Sequence, residues 1–174
     1  MATLAWMWAS SLWAGAATAA EPLPEIGTRM PDGTVYAGLS MTTGKPEFVR
    51  AAGETQPDGS IYAGISPDTN RALYTTPRDA PVPMSWTRAQ YYCGSLSAHG
   101  HHDWRLPSAT ELAVLFGNRA DIGGFNLTGL IDNRPGYYWT SLAVTDSTAW
   151  GQRFNDGYHD DFSKQRGSLL RCVR

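Results

Sequence analysis

The chain is short of most features that would tie it to a known chemistry. Two cysteines in 174 residues leave one possible intramolecular pairing, so the core has to rest on apolar burial, for which this length suffices. The net charge is −2 and the basic residues are scattered, which sets aside a nucleic-acid binder, because such a protein shows a basic patch. There is no phosphate-cradling glycine loop, no nucleophilic triad and no Gly-x-y stalk. Beyond residue 20 no segment is apolar enough to cross a membrane.

What the chain has in quantity is glycine (18), proline (11), tryptophan (7) and tyrosine (8). That mix suits a turn-rich fold of short strands in which large aromatics supply much of the buried area. Residues 2–20 carry no charged side chain; they hold Leu4, Trp6, Met7, Trp8, Leu12 and Trp13, then turn to small residues before Glu21-Pro22. An apolar run ending in an Ala-x-Ala type site describes a secretory signal peptide, cleaved after Ala19 or Ala20. The alternative is an uncleaved anchor or a buried helix. No Lys or Arg precedes the run.

An internal repeat comes next. Pro31-Asp32-Gly33-Thr34-Val35-Tyr36-Ala37-Gly38-Leu39-Ser40 matches Pro57-Asp58-Gly59-Ser60-Ile61-Tyr62-Ala63-Gly64-Ile65-Ser66, and the match runs on less closely to Phe48 and Tyr74. Each copy is a Pro-Asp-Gly turn, a β-rich run, a second turn and a second extended piece, which predicts two β-hairpins. Gln56-Pro57-Asp58 spells the tripeptide with which galactose-type C-type lectins hold calcium and sugar. The first copy has Met30-Pro31-Asp32 in its place, so the turn that both copies need accounts for it.

Residues 75–84 are a proline-rich connector, and the main boundary is expected near Ala80. A first helix is predicted from an N-cap at Ser85 to about Ala98, with Trp86, Ala89, Cys93 and Leu96 on one apolar stripe and Gly100 at the C-cap. A second starts at Ser108-Ala109-Thr110-Glu111, a capping box, and ends near Asn118 or Arg119. Strands are expected over 137–142, 148–154 and 168–174, with a turn at Asn155-Asp156-Gly157. Given an export signal, Cys93 and Cys172 argue for a disulfide closing a loop of about 80 residues, worth roughly 4 kcal/mol in the loop-entropy model. The alternative is a reactive thiol.

The order of these signals resembles a known family. It runs Tyr92-Cys93, Gly100, Asp103-Trp104-Arg105-Leu106-Pro107, Glu111-Leu112, Tyr138-Trp139-Thr140-Ser141, Ala149-Trp150, Phe154, Asp156-Gly157 and Leu170-Arg171-Cys172-Val173-Arg174. Over residues 84–174 this is similar to the bacterial domain at the carboxyl end of Legionella collagen-like adhesins. The resemblance implies an α+β, C-type-lectin-like fold, with two helices, short antiparallel strands and long loops, preceded here by the β-hairpin repeats. A disulfide from the first helix to the last strand fits that fold. The organisation expected is a signal peptide over 1–20, two hairpin repeats and the connector over 21–80, and the lectin-like domain over 81–174. The adhesin members imply binding to sulfated glycosaminoglycans and trimerisation. The acidic balance does not favour polyanions, although Arg153, Lys164, Arg166, Arg171 and Arg174 offer a local basic patch.

The function expected is an exported, non-catalytic module in the periplasm or outside the cell, presenting a loop surface to a glycan or a surface protein. The candidate ligand surface is Trp139, Trp150, Arg153, Asp156, Tyr158 and His159, since aromatics stack on sugars and anchor protein contacts. For Trp139 and Trp150, at least half burial is expected. The alternative from another class is a structural or envelope-assembly protein without a small ligand. An enzyme reading rests on Tyr92-Cys93 and residues 105–111, which also look like the formylglycine-generating family, whose members bind copper with two cysteines. No resident cofactor is expected. The weak metal candidates are His99, His101 and His102, beside Asp103. Calcium on Asp146, Asp156, Asp160 and Asp161 is a possibility that solvated turns explain better.

Overall fold

A computed structural model describes residues 22–25, 28, 30, 31, 34–39, 44–127 and 136–174. The expected signal peptide lies outside them. The described residues form a mixed α/β structure of seven strands and three helices: β1 (Thr34–Leu39), β2 (Pro46–Arg50), β3 (Ile61–Ile65), β4 (Ala72–Thr75), α1 (Trp86–Gly94), α2 (Ala109–Gly117), α3 (Arg119–Ile122), β5 (Tyr137–Ala143), β6 (Thr148–Arg153) and β7 (His159–Ser163). The sheets are β1-β2, β3-β4 and β5-β6-β7, all antiparallel.

In each stretch of the internal repeat the two strands pair antiparallel, and the register shifts at the matching place, between Tyr36 and Gly38 and between Tyr62 and Gly64. In the second hairpin the cause is visible. Gly64 has φ +129, and a Cβ there would lie 3.1 Å from Val114 Cγ1 and 3.3 Å from Asn118 Nδ2. The kink brings the strand against α2, where Asn118 Nδ2 donates to the Ala63 carbonyl at 2.9 Å.

The connector does not part this second hairpin from the helices and the three-stranded sheet. Ile61, Ala63 and Leu73 share one buried cluster with Leu112, Leu115, Tyr138 and Phe154. A second cluster surrounds the Cys93–Cys172 disulfide, with Trp104, Trp139 and Leu170. The two cysteines lie with Cα atoms 5.5 Å apart, as a disulfide requires.

Residues 168–173 run between the clusters, every one buried. This segment was expected to be a strand. It is extended, but it joins no named sheet. Its backbone bonds instead to several neighbours: Met84 with Ser168, Tyr137 and Trp139 with Leu169, Ala80 with Leu170, Thr76 with Cys172, and Arg105 with Val173. Because extended residues alternate in direction, Leu169 and Val173 enter the first cluster while Leu170 and Cys172 enter the second. Each fully buried leucine stabilises by about 1.5–3 kcal/mol.

α1 stops four residues before the expected end. Glycine disfavours helix by roughly 1 kcal/mol relative to alanine, and Gly94 closes the helix, with Ser95 N–H bonding back to the Tyr91 carbonyl. Ser85 sits at the N-cap with extended backbone, but its side chain makes no capping bond. His99 and Gly100 both have positive φ, at 57° and 76°, and form the two-residue turn of the small Ala98–His101 bridge. Gly100 therefore turns a loop and does not cap α1. α2 has the expected capping box and ends at Gly117 with Asn118 as its C-cap, where the end was predicted, and the four-residue α3 follows directly. β7 was not predicted, because His159-Asp160-Asp161 has low strand preference; pairing with β6 holds it extended.

Candidate functional site

The three-stranded sheet divides the predicted ligand residues between its faces. In an antiparallel pair, residues opposite each other share a face. Gln152 is opposite Tyr138 on one side and His159 on the other, while Gly151 is opposite Trp139 and Asp160. Trp150 lies two residues from Gln152 and so shares its face and that of His159. Trp139 and Arg153 belong to the opposite face.

On the first face, Thr140, Trp150, Gln152 and His159 meet Ala109, Thr110 and Ala113 of α2 around a recess of about 270 Å³. The rings of Trp150 and His159 are 5.3 Å apart and tilted by 41°. Trp150 is half-buried and His159 exposed. Gln152 is buried and donates weakly to the Gly157 carbonyl at 3.4 Å.

On the second face, Trp139 is fully buried, with its indole N–H donating to the Met84 carbonyl at 2.9 Å. It is a core residue and is not on the surface. Phe162 packs against Tyr137 at 4.5 Å and Trp139 at 6.4 Å, and the guanidinium of Arg166 covers the Phe162 ring at 4.6 Å. Beside them Arg153 Nε donates to Asp156 Oδ1 at 2.8 Å and its Nη2 donates to Asp156 Oδ2. The Tyr158 backbone N–H also donates to Asp156, and the Arg153 guanidinium lies 5.2 Å from the Tyr158 ring centre. The Arg153 hydrogen bonds, then that of Tyr158, hold the Asp156 carboxyl below its ordinary range. These three residues form a closed, self-satisfied turn, with Tyr158 half exposed.

The five basic residues do not gather into one patch, although Arg153 and Arg166 both approach the Tyr137 ring, at 5.5 and 5.3 Å. Arg171 is fully buried: Nε donates to Asp79 Oδ1 at 2.8 Å, Nη1 to the Thr76 carbonyl at 2.8 Å, and the guanidinium covers Phe125 at 3.9 Å. Tyr138 donates its hydroxyl to the other Asp79 oxygen and receives the Asn126 N–H at 2.6 Å. Burial raises the pKa of Asp79 and of Tyr138, and lowers that of Arg171. Lys164 lies over Trp86 and donates to the Thr145 and Asp146 carbonyls.

The histidine loop serves the second hairpin. His101 Nε2 is 2.8 Å from Asp58 Oδ2 and His99 Nδ1 is 3.0 Å from the Asp58 carbonyl. Asp58 also accepts from Ser60 N and Oγ, so Gln56-Pro57-Asp58 builds a turn. His102 is exposed. Among the described residues no three His, Cys, Asp or Glu side chains are placed to hold one ion, and Asp146, Asp156, Asp160 and Asp161 do not gather. Asp160 is instead hydrogen-bonded to the Tyr158 hydroxyl and the Asp161 N–H. Both cysteines are in the disulfide, so the pair through which the formylglycine-generating family binds copper is not free.

A family model described as the Lcl C-terminal domain matches residues 65–174. The chain belongs to this family. The Lcl C-terminal domain so matched begins at the last residue of β3 and takes in β4, all three helices and the three-stranded sheet. It leaves the first hairpin outside. No curated protein matches the chain.

Two features of this Lcl C-terminal domain escaped the sequence reading. The Asp79–Arg171–Tyr138 group did, because Asp79 sits in a stretch that looked like linker and its partners are 59 and 92 residues away. So did the contact between α2 and the sheet face, which turns Ala109 and Ala113 into the wall of a recess.

Proposed function

We propose that this Lcl C-terminal domain is an exported, non-catalytic binding module with a C-type-lectin-like fold, which presents the recess between α2 and the β5-β6-β7 sheet to a glycan. The supporting observation is the pairing of Trp150 and His159 beside that recess. An indole face offers apolar contact to the C–H face of a sugar ring, while Gln152 and Thr110 supply neutral hydrogen-bonding groups at the walls. Export agrees with the disulfide, since such bonds persist in oxidising compartments.

A glycan array tests this reading. Binding by the purified domain, lost in Trp150→Ala and weakened in His159→Ala with the thermal midpoint unchanged in the latter, supports it; no bound glycan sinks it. A protein partner is the second reading. It is favoured by Leu142 and Val144, which stand 48% and 47% exposed at the β5–β6 turn. Pull-down of one envelope protein, abolished by Leu142→Ser and Val144→Ser, would place the domain there instead.

A further inference from the structure

A second recess, of about 410 Å³, opens between the second hairpin and the loop before α2, and it shares no lining residue with the sheet recess. Three arginines line it, Arg71, Arg105 and Arg174, with one acidic residue, Asp103, and the charge of Asp68 also acts on Arg105.

The arginines are not equivalent. Arg105 is gripped end-on by Glu111, Nη1 to Oε2 and Nη2 to Oε1, and Nη1 also reaches the Leu106 carbonyl. An arginine has five N–H donors. The two that remain on Arg105 are Nε–H and the second Nη2–H, which form the side-on fork of the guanidinium. Arg153 uses that same pair of nitrogens to grip the Asp156 carboxylate. The Arg105 side chain is 47% exposed, yet Glu111 holds it in place, so occupying the fork costs little side-chain entropy. Arg71 is exposed and makes no side-chain hydrogen bond or ion pair among the described residues. Arg174 lies over the rings of Tyr74 and Trp104, and its closest acid contact is Asp58 at 3.4 Å.

The geometry points to a binding site for a ligand carboxylate, held by the side-on fork of Arg105 with Arg71 as the second cation. Two parallel N–H donors match a carboxylate better than a point charge does. Asp103 on the wall opposes a densely charged chain and suits a ligand with a single acid group. The site stands independently of the glycan reading, because it uses different residues.

The test is titration of the whole domain, followed by NMR of the arginine Nε–H signals, with glucuronate and with N-acetylalanine as probes. Glucose and N-acetylalaninamide are the neutral counterparts, and heparin is the polyanion. Binding of either carboxylate that shifts the Arg105 Nε–H signal, with the neutral counterpart silent, is the expected result. Glucuronate alone assigns the acid to a sugar, and N-acetylalanine alone assigns it to a peptide terminus. Arg71→Ala, at an exposed position, weakens binding by about tenfold or more, as expected for a charge-assisted bond. Arg105→Lys keeps the charge and loses the fork, and weakens binding while the thermal midpoint reports that the fold persists. Asp103→Asn tightens it. Carboxylates that bind no better than their neutral counterparts, affinity unchanged in both arginine variants, or binding of heparin alone would overturn the proposal.

Discussion

Arg105 and Glu111 form a two-bond ion pair, at 2.6 and 2.7 Å, across the boundary between solvent and core: the arginine side chain is 47% exposed and the glutamate fully buried. Glu111 also accepts from Ser66 Oγ at 2.7 Å and from the Ser108 backbone N–H at 3.0 Å. One carboxylate thus ties the second hairpin, the loop before α2 and the first turn of α2. Burial opposes its charge, but the hydrogen bonds from Arg105, Ser108 and Ser66, with the Arg105 charge, hold its pKa down at about 2.

Glu111→Gln removes the charge and keeps the shape, and is expected to cost about 2 kcal/mol at neutral pH, the scale of hydrogen bonds to a charged group. Because the folded-state pKa lies below the unfolded value of 4.5, the stabilisation is complete above about pH 4.5 and disappears as the pH falls through about 2. Urea midpoints of wild type and variant should differ at pH 7 and converge toward pH 2. A constant difference across that range would refute the assignment.

Asp79 is the only acid paired with the fully buried Arg171 among the described residues. Removing one member of a buried pair strands the other, at a cost of about 3–5 kcal/mol. Asp79→Ala is expected to lose that much in chemical denaturation. Tyr138→Phe, which deletes only the hydroxyl, is expected to lose about 1–3 kcal/mol. The reverse ranking would mean that the hydroxyl matters more than the charge.

The Cys93–Cys172 bridge closes a separation of 79 residues. Replacing both cysteines by serine should lower stability by about 4 kcal/mol. Titration of the native protein with a thiol reagent should find no free thiol, and two should appear after reduction in denaturant.

Gly157 has φ +83, and a Cβ there would lie 2.8 Å from Cζ of Phe116. Gly100 has φ +76 with nothing within 4 Å. Alanine at residue 100 is expected to cost roughly 1 kcal/mol, from backbone conformation alone. At residue 157 the cost should be larger, because the Phe116 ring must also move. Equal shifts in thermal midpoint would show that the ring contact carries no weight.

Much of this molecule is local, and local features can be read from the chain. The capping box at Ser108 and Glu111 needs only residues three apart, and a Pro-Asp-Gly turn leading into a β-rich run is enough to announce a hairpin. The cysteine pairing was legible because two cysteines allow one bond. Family membership was legible because its signature is spread over residues 84–174. The candidate site was less so: Trp150 and His159 meet beside one recess, but Trp139, chosen on the same grounds of residue type, is core.

The amino-acid sequence determined which segments turn, which coil and which two cysteines bond, because those outcomes depend on backbone preference and short spacing. Only the tertiary structure decided the faces. Strand residues alternate in direction, so Trp139 and Trp150 fall on opposite sides of the sheet, and residues 168–173 send Leu169 and Val173 into one cluster and Leu170 and Cys172 into the other. It also decided the charges. Arg171 and Arg105 look alike in sequence, but burial beside Asp79 closes the first, while Glu111 holds the second with its side chain 47% exposed at the edge of a recess.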